Sequence, residues 1–185
     1  MEQKMEFRIQ ASNPRNNGYF CSEDEKISEA IETIFPMMTE EALLVWNTIY
    51  IPLNYKYDIS VMIEDILIML NNLRANKQGN MSINWASNTF SSKWELQWEE
   101  NKLLINTNWN MVLGHTEDLL NESNRIRVDK TSFMEEWKKL LEVLVINLKK
   151  CNYSVYNLLD LKKLIQEFNS IPKSGILYCN EEYKI

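Results

Sequence analysis

The sequence predicts an α+β fold: an antiparallel sheet, built on a central three-stranded meander at about residues 81–111, with helices packed mainly on one face. Three observations carry that prediction. Apolar and polar residues alternate with period two through three successive segments between Met81 and Met111. Apolar residues at helical spacing dominate the segments on either side. Only four glycines and four prolines occur in 185 residues, which disfavours a loop-rich or repeat architecture. With 45% hydrophobic residues, a chain of this length forms one domain, residues 1–185, and buries roughly 70% of the surface its unfolded form exposes.

The elements follow in order. "MEFRIQA" (Met5–Ala11) alternates as a first strand and is ended by the turn-forming "SNPRNNG". Ser22 and Glu25 have the spacing of a capping box, opening a helix that runs to about Ile34 and stops before Pro36. "ALLVWNTIYIPLNYKY" is β-branched and aromatic on both faces, which predicts one largely buried strand with Pro52 near its end. From about Ser60 to Asn76, apolar residues at helical spacing predict a core helix.

The meander follows. Met81, Ile83 and Trp85 share one face; so do Trp94, Leu96 and Trp98; so do Leu103, Ile105, Thr107, Trp109 and Met111. Glu99-Glu100-Asn101-Lys102 joins the last two strands as a short hairpin turn. The tryptophans keep step with leucines and isoleucines, so they are expected in the core and not on a ligand platform. A short helix at Glu117–Asn121, a strand "RIRVD", a long helix opened by Ser132 and Glu135 and ending near Lys150, and a last helix near Leu158–Phe168 complete the chain. "GILYC" is read as a possible final strand.

Charge and motifs narrow the function classes. The net charge of −6 opposes phosphate binding, so no nucleic-acid partner is expected. The most apolar segment, "ISVMIEDILIML", carries Glu64 and Asp65 and is too short to span a bilayer, so no membrane partner is expected. Cys21, Cys151 and Cys179 are widely separated and read as reduced thiols, which with the absence of a secretory pattern points to the cytoplasm. His115 is the sole histidine; "GHTED" reads as a helix start, not as a relay or a zinc site. Glu64, Asp65 and Asp118 are the carboxylates an enzyme would use, yet no phosphate loop, GxSxG or HExxH motif accompanies them. The expectation is a non-enzyme without cofactor or metal.

The candidate binding residues are then Glu95, Gln97, Glu99, Glu100, Asn106 and Asn108, on the wet side and tip of the meander hairpin. Carboxylates and amides in rows can attract a basic partner and discriminate among partners. The stretches "WNTIYIPLNYKYDISVMIEDILIMLNNL", "WELQWEENKLLINTNW" and "FMEEWKKLLEVLVINL" give the chain a loose resemblance to the immunity proteins of bacterial polymorphic and contact-dependent toxin systems. That resemblance implies an antitoxin that binds a cognate toxin domain, often a nuclease, and blocks it by occlusion; it assigns no residue a role. The alternatives are a small-molecule-binding or regulatory module of a mobile element, with a pocket between sheet and helices, and a carboxylate enzyme. An oligomeric structural protein would instead show an exposed apolar patch, for which Val143 and Ile146 are the candidates.

Overall fold

The computed structural model describes residues 6–172. The chain forms β1 (Phe7–Gln10), α1 (Ile27–Ile34), β2 (Ala42–Trp46), β3 (Ile49–Leu53), a single π-turn (Tyr55–Ile59), α2 (Ser60–Ala75), β4 (Gln78–Ala86), β5 (Phe90–Glu99), β6 (Lys102–Val112), α3 (Glu117–Glu122), β7 (Arg125–Asp129), α4 (Lys130–Lys150) and α5 (Leu161–Ser170). Two antiparallel sheets result, ordered β1-β2-β3 and β4-β5-β6-β7. The meander is therefore present and gains β7 as a fourth strand. The "GILYC" segment and Cys179 lie outside the described residues.

The segment expected to be one buried strand is a hairpin. Asn47 and Thr48 both hold positive φ, 46° and 72°, the geometry of a two-residue turn whose twist matches the flanking strands. Ala42 then pairs with Leu53 and Trp46 with Ile49. Two helix starts also differ from the capping boxes read in the sequence. In α1 the Glu29 carboxylate accepts from the N–H of Glu25 (2.8 Å) and Lys26 (3.1 Å), so the helix begins at Ile27 and not at Ser22. In α4 the cap is Asp129, whose carboxylate accepts from Ser132 N–H at 2.8 Å. An aspartate at the end of a strand caps as well as a serine does, and β7 runs into α4 without a loop.

The core sits between the two sheets and α4. All six tryptophans are at most 6% exposed. Phe7 and Trp46 of the smaller sheet meet Trp94, 6.3 and 5.4 Å between ring centroids, and Trp46 meets Trp109 at 5.5 Å. From α4, Trp137 stacks on Trp85 at 6.2 Å, and Phe133 lies 4.5 Å from Phe7. Trp46 and Trp98 donate their indole N–H to the carbonyls of Ser123 (2.8 Å) and Asn76 (3.0 Å). Trp85, Trp94 and Trp109 instead meet neighbouring rings edge to face, an arrangement that sets a positive ring edge against a π face. The core assignment of Trp94, Trp98 and Trp109 holds.

Buried polar groups fasten the periphery. Asp58, in the π-turn, accepts from Asn54 N–H (2.8 Å), the Thr89 hydroxyl (2.6 Å) and the Ser87 hydroxyl, which ties the β4–β5 turn to the start of α2. Tyr153 donates to Asp24 and accepts from Cys21 N–H at 3.1 Å, which clasps the segment before α1 to the end of α4. Burial, with the Asp24 carboxylate second, pushes the Tyr153 phenol up to about 12.

Two predictions follow from this packing. Trp94→Ala removes a ring shared by both sheets and should lower unfolding free energy by about 3–5 kcal/mol, read by urea denaturation. The Tyr153 phenol, neutral to a higher pH in the fold than in the unfolded chain, stabilises fully below its ordinary value of 10.0 and less as pH rises toward about 12. Stability should therefore fall between those values, and Tyr153→Phe should flatten that slope in thermal melts.

Candidate functional site

Among the described residues, no layer covers the side of the four-stranded sheet turned away from the tryptophans. Strand pairing places its side chains in rows. Ser82, Glu95, Asn106 and Arg125 form one; Asn80, Gln97, Leu104 and Arg127 the next; Gln78, Glu99, Lys102 and Asp129 the last before the hairpin; Asn84, Lys93 and Asn108 lie on the far side. Along β5, burial alternates strictly from Phe90's neighbour Ser91 to Glu99, with Lys93, Glu95, Gln97 and Glu99 exposed. The period-two reading thus puts Glu95, Gln97, Glu99, Asn106 and Asn108 on one surface. Glu100 stands at the hairpin tip in the left-handed region (φ 50°).

The electrostatics of this face differ from the expectation of an acidic hairpin. Glu95, Glu99 and Asp129 share it with Lys93, Lys102, Arg125 and Arg127, so the face carries both signs, with glutamates on β5 and arginines on β7. Glu95 pairs with Lys93 at 2.8 Å, both well exposed, an ion pair that contributes little by itself. The other acidic knots lie elsewhere: residues 23–25 precede α1, 40–41 precede β2, and Glu117, Asp118 and Glu122 lie on α3. Arg125 and Arg127 were legible in the sequence only as part of a strand; their place beside Asn106 and Leu104 depends on the β6–β7 register.

A shallow groove of about 800 Å³ crosses the hairpin end of the face, bordered by Asn80, Gln97, Glu99, Lys102, Leu104 and Arg127. Of the tryptophans only Trp98 borders it. Behind the groove Gly79 lies under the Trp98 indole, where a Cβ would fall 2.4 Å from the ring, so the close approach of β4 to β5 needs glycine there. The tip is held in place. Asn101 donates to Asp129 and accepts from Thr131 N–H (3.2 Å) and Thr131 hydroxyl (2.9 Å), and its carbonyl accepts from Lys130 N–H at 2.8 Å. Asn101 therefore locks the hairpin onto the α4 cap, while the amides of Asn80, Asn84, Asn106 and Asn108 make no side-chain hydrogen bond among the described residues.

The alternatives can be placed in the same way. Glu64, Asp65 and Asp118 are all exposed. Glu64 borders a second groove, of about 380 Å³, between α2 and α5. There the buried Glu167 accepts from Arg74 Nε (3.1 Å) and from a second guanidinium nitrogen (3.0 Å), a fork-to-fork pair that staples the two helices. His115 is 85% exposed by side chain and lies 4.0 Å from Glu117. The Glu117 carboxylate accepts from Val112 N–H (2.8 Å), and backbone N–H groups, that of Val112 first, hold its pKa below the ordinary carboxylate value. Among the described residues no group of His, Cys, Asp or Glu could hold a metal ion, and no helix is long and apolar enough to cross a membrane. Val143 packs on the core and Ile146 is exposed, so the pair forms no patch.

Comparisons of the chain with protein-family models, curated proteins and solved structures give no match.

Asn101→Ala should free the hairpin tip. Losing its bonds to Asp129 and Thr131 should lower stability by about 1–3 kcal/mol and speed hydrogen exchange at the Thr131 amide, measured by NMR.

Proposed function

We propose that the chain is a protein-binding inhibitor of the immunity-protein kind, which occludes a toxin domain with the bare face of β4–β7. The observation that carries this reading is the face itself: a four-stranded surface backed by the tryptophan core and, among the described residues, uncovered, presenting amides without side-chain partners and ordered charges of both signs. Enzymes and small-molecule receptors concentrate their chemistry in enclosed, largely apolar pockets. A broad polar surface of this kind suits recognition by complementarity, in which charge pattern sets partner choice and association rate.

The pattern describes the partner. Cations opposite Glu95 and Glu99 and carboxylates opposite Arg125 and Arg127 would match the face, with a small protrusion seated in the groove between Gln97 and Arg127. A nuclease offers the first of these features in its phosphate-binding cleft. Inhibition needs no bond to form or break. The resemblance of the sequence to immunity proteins supports the toxin as the partner class, and the mixed charge refines a simply basic partner to a patterned one.

Expression of the toxin domain encoded beside this gene, with and without this protein, tests the proposal. Growth rescue with a one-to-one complex is expected. Glu99→Lys and Arg127→Glu should each weaken that complex by about 10- to 100-fold without changing the melting temperature, whereas Asp65→Lys on α2 should leave binding unchanged. No rescue, or rescue insensitive to both charge reversals, would overturn the reading or its face respectively.

A further inference from the structure

Two sheets have four edges, and each open edge presents unpaired N–H and C=O groups to other chains. Three of the four are blunted. On β1 the outward N–H of Ile9 donates to Glu136 of α4 at 2.8 Å. On β7, only five residues long, the outward N–H of Arg127 donates to Glu6 at 3.0 Å. On β3 the middle of the outward edge is Pro52, which has no N–H to offer.

The fourth edge is β4, and nothing among the described residues guards it. It is nine residues long, pairs with β5 throughout, and contains no charge, no proline and no bulge in that pairing. Its hydrogen-bond phase is set by two flanking bonds, Glu100 N–H to the Lys77 carbonyl (2.7 Å) and Ser87 N–H to the Phe90 carbonyl (3.2 Å). Odd-numbered residues of β4 therefore bond to β5. The N–H and C=O of Gln78, Asn80, Ser82, Asn84 and Ala86 point away from the sheet.

We infer that this edge pairs antiparallel with β4 of a second copy of the chain, about a two-fold axis at Ser82, to give a continuous eight-stranded sheet. The strand is self-complementary in that register. Ser82 faces its own counterpart, Asn80 faces Asn84, and Gln78 faces Ala86, so every outward N–H meets an outward C=O of an even-numbered residue. A one-residue slip would set even positions against odd ones, whose backbone groups are already bonded to β5. On the bare face, Asn80 and Asn84 bring together side chains that each donate and accept. On the opposite face, half-buried Met81 meets buried Ile83 and extends the apolar side across the seam. Because β4 carries no charge, the two-fold axis opposes no like charges, the usual guard against such pairing. The pairing would leave Gln97, Glu99 and Arg127 open on both copies, so it stands independently of the toxin reading.

Sedimentation of the full chain over a range of concentrations, with amide hydrogen exchange on the same samples, tests the inference. A dimer is expected, with the Asn80, Ser82 and Asn84 amides protected as it forms. Ser82→Lys sets two cations against each other at the axis, and Ser82→Pro deletes the N–H donated there by each copy. Each should weaken the dimer by roughly 10- to 100-fold while leaving the monomer folded, since that N–H has no partner among the described residues. Ser82→Thr should dimerise as the parent does. A monomer at every concentration, a dimer insensitive to both Lys and Pro, or protection of these amides in a monomer would each overturn it; the last would mean that another segment of the chain covers the edge.

Discussion

The aromatic cluster that joins Phe7, Trp46, Trp85, Trp94, Trp109 and Trp137 is the constraint on which the rest of the molecule depends. Neither sheet is large, and β1 spans only four residues; each is stable because the rings of one pack against those of the other and against α4. A tryptophan buries about 150–250 Å² and has few rotamers to lose, so a few of them make a stiff core at low entropic penalty. The cluster also dictates which side of the larger sheet is free. With every ring on one side, the polar residues of β4–β7 must occupy the other, and no layer among the described residues covers them.

That arrangement links packing to recognition. Interlocked rings back the face, and a preorganised surface spends less of its interaction energy on ordering when it binds. The locking of Asn101 to the α4 cap extends the same rigidity to the hairpin tip. The face and the open β4 edge are two surfaces of one sheet, one read through side chains and the other through backbone, and neither obstructs the other.

Much of this was legible in the sequence. Period two from Met81 to Trp109 was enough to place the meander's tryptophans inside and Glu95, Gln97, Glu99, Asn106 and Asn108 together outside, because side-chain direction in a regular strand depends only on parity. It fails at Met111, expected inside but 43% exposed, because the β5–β6 register shifts at Ser91/Ser92 and turns Val112 inward instead. The β2–β3 hairpin was hidden because "VWNTIYI" carries no glycine, and Thr48 at φ 72° is a conformation threonine seldom adopts. The two helix starts were misplaced because acids, not serines, take the backbone N–H groups there: Glu29 holds those of Glu25 and Lys26, and Asp129 holds that of Ser132, so α1 opens later and α4 earlier than the serine spacings imply. No local pattern marks Asp58 for burial, because Ser87 and Thr89, whose hydroxyls donate to it, lie some thirty positions away. The arginines of the face had the same problem: parity places them within β7, but only the register of β7 on β6 sets them beside the candidate residues.

The most direct test is hydrogen–deuterium exchange on the complex with the toxin domain proposed as its partner, compared with the free protein. The account predicts that protection on binding concentrates in β5, β6 and β7, at the backbone behind Gln97, Glu99, Leu104 and Arg127, with α2 and α5 unchanged. Protection confined to the α2–α5 cleft around Glu64 and Arg74, with the sheet unaffected, would contradict it.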